Sequence, residues 1–68
     1  MNVSAIKIEC LLAVRGLTKT ELSKKSGISR QSVSTVIRRG TCEPRTAGKL
    51  ASALGVDIAD IIEDNEGG

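Results

Sequence analysis

Residues 17–40 read LTKTELSKKSGISRQSVSTVIRRG, and this stretch decides the fold. Thr18-Lys19-Thr20-Glu21 has the spacing of a capping box. The Thr18 hydroxyl can accept from the Glu21 backbone N–H while the Glu21 carboxylate reaches back to the Thr18 N–H. Leu17 and Leu22 occupy the two positions of a hydrophobic staple, which fixes the angle at which the chain enters the helix. That helix should stop at Gly27, whose missing Cβ permits a left-handed conformation. Ser29 is placed to cap the next helix, predicted over about 30–38 and closed by Gly40. Within it Val33, Val36 and Ile37 sit at i, i+3 and i+4 and must face a core. At about 100° per residue, Gln31, Thr35 and Arg38 then point the opposite way. Two short helices joined by Gly27-Ile28-Ser29, with Leu22, Ile28, Val33 and Ile37 as the apolar lock between them, have the form of a helix-turn-helix.

Outward from this unit, every further break is a glycine or a capping residue. Toward the N-terminus, Ser4 is placed to cap a helix over 5–15 that ends at Gly16. Ala5, Ile8, Leu11 and Leu12 share one face of it. Ile6, Cys10 and Ala13 make its other side apolar as well, so it is expected to be buried on more than one side, with the last helix covering the second. Toward the C-terminus, residues 41–45 read as a loop. Thr46 is expected to cap a fourth helix over 47–54, closed by Gly55, with Leu50, Ala51 and Leu54 inward. Asp57 is expected to cap a fifth helix from Ile58 to about Glu63, with Ile58, Ile61 and Ile62 as its apolar face. No stretch alternates as a strand would. The expectation is an all-α fold of five helices, a domain over 1–64 and a frayed tail over 65–68.

At 68 residues there is room for one domain. The core must be aliphatic, because the chain contains no Phe, Tyr or Trp. That also removes the platform on which unpaired bases stack, which argues against single-strand binding. The net charge is only +2, yet its distribution is uneven: residues 18–49 hold eight cations and two acids, and residues 50–68 hold five acids and no cation. A basic middle and an acidic end imply a polarised surface. Cys10 and Cys42 lack C-x-x-C spacing and there is no His, so neither a metal site nor a cofactor is expected, and the thiols should be free in a reducing compartment. The start lacks a basic n-region, and no apolar run reaches membrane-spanning length, so a cytoplasmic, non-membrane protein is expected. Without His, a phosphate-cradling glycine loop or an acidic pair in a recognisable pocket, an enzyme is the least favoured class.

The residues quoted above, Leu17-Thr18-Lys19-Thr20-Glu21-Leu22-Ser23 … Gly27-Ile28-Ser29-Arg30-Gln31-Ser32-Val33-Ser34 … Gly40, resemble the phage repressor and Cro family of helix-turn-helix proteins, also called the XRE family. Leu50-Ala51-Ser52-Ala53-Leu54-Gly55-Val56 resembles the end of that family's fourth helix. Together these pieces span about residues 5 to 63. The resemblance implies a five-helix, lambda repressor-like fold that binds double-stranded DNA as a dimer and controls transcription. Carried over position by position, base reading falls on Arg30, Gln31 and Thr35. Gln31 has an amide able to pair bidentately with adenine N6 and N7, Arg30 could read guanine O6 and N7, and Thr35 could touch a thymine methyl. Phosphate contacts are expected from Lys19, Ser29, Arg38, Arg45 and Thr46. Lys19 and Arg38 depart from the family, which often has Gln and usually has Glu at those positions.

One helix covers only about four or five base pairs, so a homodimer on an inverted-repeat operator is expected. The leading reading is a sequence-specific regulator, a repressor of a phage or mobile element. Two alternatives stay open at this point. One is the antitoxin of a toxin–antitoxin pair, with a toxin partner. The other is a protein-interaction module that kept the fold.

Overall fold

Three of the helices begin where a hydroxyl caps them. In the computed structural model, which describes residues 1–63, Ser4 accepts from the Lys7 N–H at 3.2 Å and starts α1 (Ala5–Arg15). Thr18 accepts from the Glu21 N–H at 3.1 Å, Glu21 accepts from the Thr18 N–H at 2.9 Å, and α2 (Lys19–Ser26) follows. Ser29 accepts from the Ser32 N–H at 3.1 Å and starts α3 (Arg30–Arg39), one residue longer than the sequence suggests.

The fourth helix departs from the expectation. α4 runs Pro44–Leu54, so it starts three residues earlier, with Glu43 at the N-cap and Pro44 at the first helical position. A proline is at home there, because its φ is already helical and the N–H it lacks would have no intrahelical acceptor. Thr46 therefore lies inside the first turn and is not the cap.

Leu22, Val33, Val36, Ile37, Ala47, Leu50, Ala51 and Leu54 from α2, α3 and α4 are buried together with Ile8 and Leu12 of α1. α2 packs on both α3 and α4, while α1 packs on α3. Leu17, Ile28 and Leu11 are half-buried against this core. The reading of α2 and α3 as a rigid pair rests on this shared aliphatic floor.

The fold is all-helical, but the described residues contain four α-helices, not five. Where a fifth was expected there is a single 3-10 turn, Ile58–Asp60. Asp60 does accept from the Asp57 N–H at 3.2 Å, as a helix start would require. The chain then leaves the helical path because its next residues pair with the N-terminal segment. Ser4 N–H donates to the Ile61 carbonyl at 2.8 Å, Glu63 N–H donates to the Asn2 carbonyl at 3.0 Å, and Val3 and Ile62 form an isolated antiparallel bridge. Ile62, which makes the bridge, is β-branched and loses little by leaving the helix. Ile61 and Val3 are both buried.

The same N-terminal segment pairs on its other side with the end of α3. Val3 N–H donates to the Gly40 carbonyl at 2.9 Å, Cys42 N–H donates to the Met1 carbonyl at 3.0 Å, and Asn2 bridges Thr41. Residues 1–4 thus form an extended strap between the exit of the third helix and residues 61–63. Gly40 sits at φ 72°, and a Cβ there would stand 3.5 Å from the Val3 carbonyl oxygen.

Among the described residues, the second apolar side of α1 is exposed. Ile6 is 74% exposed and Val14 82%, and Cys10 and Ala13 are exposed beside them. The expectation that the last helix would bury this side fails because that helix does not form. The expected tail, 65–68, lies outside the described residues, as does the domain limit at residue 64.

Candidate nucleic-acid interface

The turn between α2 and α3 is held more firmly than its glycine alone would require. Gly27 adopts φ 74°, which only a residue without Cβ takes without strain, and its N–H donates to the Ser23 carbonyl at 3.0 Å. Two serines of α2 then bind the turn itself. The Ser23 hydroxyl donates to the Ile28 carbonyl, the Ser26 hydroxyl donates to the Ser23 carbonyl at 3.3 Å, and the Ile28 N–H donates to Ser26 Oγ at 3.3 Å. These bonds satisfy backbone groups at a part-buried corner and fix how α3 leaves α2.

α3 has its apolar stripe inward and Arg30, Gln31 and Arg38 exposed. Thr35 is half-buried, and its hydroxyl donates to the Gln31 carbonyl one turn back at 2.9 Å. This i to i−4 bond occupies the hydroxyl proton and leaves the methyl group and the oxygen lone pairs for an outside partner. Gln31 has no such tie among the described hydrogen bonds, so its whole side-chain amide is available.

An open groove of about 780 Å³ runs beside this helix. One wall is α3, with Gln31, Ser32, Thr35 and Arg39; the other is the loop and start of α4, with Thr41, Cys42, Glu43, Pro44 and Thr46. Of the eight residues expected at the site, the structure brings Gln31, Thr35 and Thr46 to this groove. Arg30, Lys19, Ser29, Arg38 and Arg45 are exposed but do not line it. Arg38 borders a smaller cleft of about 260 Å³ on the other side of the helix end, with Ile6 and Glu63, and Arg39 borders both.

Several residues of this surface were not singled out in the sequence. Arg39 was legible in principle: it follows Gln31 by two i+4 steps and so shares its side of the helix. The loop wall was not, because it depends on Pro44 starting α4 early and on residues 1–3 pinning 40–42. The two turn serines likewise carried no local pattern that marks them.

The elements that build this surface are basic: residues 18–49 carry a net +6, with Arg30, Arg38, Arg39 and Arg45 exposed. Cys42 is half-buried, and both cysteines are free thiols. Burial pushes the Cys42 thiol above its ordinary range and the Glu43 carboxylate adds to this, while the N-terminal ammonium opposes them. A thiol held in its neutral form is a poor nucleophile and here acts as a small apolar side chain in the groove wall. No described helix is long and apolar enough to cross a membrane.

A basic, groove-bearing pair of helices locked at a fixed angle is what a duplex-binding helix-turn-helix needs: a rigid arm to position and an exposed stripe to insert. Comparisons with known proteins agree with the geometry. A family model described as a Cro/C1-type HTH DNA-binding domain matches residues 7–67. The chain is 39% identical over 64 residues to an uncharacterized HTH-type transcriptional regulator of Methanocaldococcus jannaschii, covering 88% of this chain and 96% of that protein. No solved structure matches. The chain belongs to the Cro/C1-type helix-turn-helix DNA-binding domain family.

Proposed function

We propose that this protein is a sequence-specific transcriptional regulator, acting as a repressor, in which α3 enters the major groove of double-stranded DNA. The observation that carries this reading is the outer stripe of α3. Gln31 presents an amide with no hydrogen bond among the described residues, Thr35 presents a methyl with its proton already bonded to the Gln31 carbonyl, and the helix beneath them is anchored by buried Val33, Val36 and Ile37. An amide on a rigid helix can donate to and accept from adenine at once, and a methyl beside it suits a neighbouring thymine. Arg30, exposed at the first position of the same helix, is assigned to a guanine. The relative from Methanocaldococcus jannaschii, described as a transcriptional regulator, supports control of transcription as the outcome of binding.

Phosphate contacts are assigned to Lys19 at the start of α2, Ser29 at the cap of α3, Arg38, Arg45 and Thr46. Lys19 and Ser29 stand at helix N-termini, where exposed N–H groups and the helix dipole favour an anion. The working unit is a homodimer on an inverted repeat, since a single reading helix spans too few base pairs to select a genomic site. Its site of action is the cytoplasm, where the duplex is.

The test is a titration of labelled random and selected duplexes at about 50 and 200 mM salt. This reading requires salt-sensitive binding to any duplex and at least about a thousandfold preference for the selected one. Absence of binding to duplex at low salt would contradict it. Sedimentation showing a monomer on DNA, with full affinity for a single half-site, would contradict the dimer.

A further inference from the structure

The basic stretch 18–49 contains only two acids, Glu21 and Glu43. The fold explains the first: Glu21 closes the capping box of α2. It does not explain the second. Glu43 stands at the N-cap of α4, but its carboxylate makes no capping hydrogen bond, and the residue is exposed. Glutamate is not among the favoured N-cap residues, whose shorter side chains reach the second or third N–H. Glu43 instead lines the loop wall of the groove that Gln31, Thr35 and Arg39 line from the helix side. It is the one acid among the described residues that line the groove.

A carboxylate at this place has a definite electrostatic effect. Phosphates flank the major groove, and the start of α4 would otherwise draw one, because its dipole and the N–H groups of its first turn favour an anion. Glu43 puts a fixed negative charge there, within a Debye length of any duplex seated on α3. We infer that Glu43 limits the phosphate-driven attraction of this surface for any duplex, so that the base contacts of α3 carry a larger share of binding. The inference rests on the DNA-binding reading above. It assigns Glu43 no bond to a base and no capping hydrogen bond in α4.

The experiment compares the wild-type chain with Glu43→Gln, which keeps the shape and removes the charge, and with Glu43→Lys, which reverses it. Affinity is measured for a random duplex and for a selected one across a salt series, alongside thermal unfolding of each variant. Glu43→Gln is expected to raise affinity for both duplexes about three- to tenfold at low salt, with the gain shrinking as salt rises. Glu43→Lys is expected to raise it further and to steepen the salt dependence by about one unit. The melting midpoint should fall by no more than a few degrees in Glu43→Gln, as for the loss of one exposed charge at a helix N-terminus. Unchanged affinity in both variants would overturn the inference and leave a merely solvated carboxylate. Weaker binding of the selected duplex alone would also overturn it, because Glu43 would then be accepting from a base such as cytosine N4. If the wild type itself binds no duplex, the DNA-binding reading fails, and that is seen before any variant is compared.

Discussion

α2 and α4, which pack on each other, begin in different ways. At α2 a reciprocal pair, Thr18 and Glu21, satisfies backbone donors from both sides, and the acid is consumed by the fold. At α4 the acid sits at the cap without capping, and Pro44 starts the helix by its fixed φ. The first start is optimised for stability, and the second leaves its acid facing the groove. The same residue type therefore closes a capping box in one place and stands in a groove wall without a capping bond in the other.

The largest effect is expected from removing the floor that both starts share. Leu22 is fully buried and belongs to the helix that packs on both α3 and α4. Leu22→Ala should cost about 2–5 kcal/mol, measured by urea denaturation, and in a domain this small that approaches the whole stability. A cost under about 1 kcal/mol would mean that α2 is not the common support.

Next comes the contrast between the caps themselves. Thr18→Ala should destabilise by about 1 kcal/mol. Glu43→Ala should change stability by no more than about 0.5 kcal/mol, as for an exposed side chain outside any network. Equal losses in the two variants would mean that the two helix starts are stabilised alike.

A smaller and purely functional effect is expected from the cations beside each start. Lys19→Ala and Arg45→Ala should each weaken binding to all duplexes alike and flatten the salt dependence by about one unit, read from anisotropy titrations. A base-specific change in either would move that residue from the backbone to the groove floor.

The smallest effect concerns Cys42 in the wall between α3 and α4. Its thiol stays protonated in the folded chain above the pH at which it ionises when unfolded, 9.0 being the ordinary value. The unfolded chain then binds fewer protons, so stability should fall as pH rises through that value. Cys42→Ala should remove this part of the slope. An identical slope in wild type and variant between about pH 8 and 10 would show that burial of the thiol has no consequence.

The contrast between the helix starts also explains how much could be read from the sequence. The capping box, the turn glycine and the stripe of Val33, Val36 and Ile37 are local patterns, and each stands where its spacing puts it. Helix 4 starts ahead of Thr46, the better cap on propensity, because Pro44 at its first position outweighs that preference. The fifth helix was expected on equally local grounds, an Asp57–Asp60 pair and three isoleucines. It gives way to pairing between residues 61–63 and residues 2–4, which lie at the far end of the chain. The same non-local strap shapes the loop wall of the groove. Gln31 and Thr35 fall on the outer stripe by periodicity alone and Arg39 is within reach of the same spacing, whereas Glu43 enters only through the groove.

The central claim is that the stripe of α3 reads base sequence. Selection of bound duplexes from a random pool, run in parallel with the wild type, Gln31→Ala and Arg30→Ala, tests it most directly. The account predicts a symmetric motif for the wild type and loss of preference at one base pair per half-site in Gln31→Ala, worth about 1–3 kcal/mol of discrimination. The same motif from all three proteins, or no enrichment from the wild type, would contradict it.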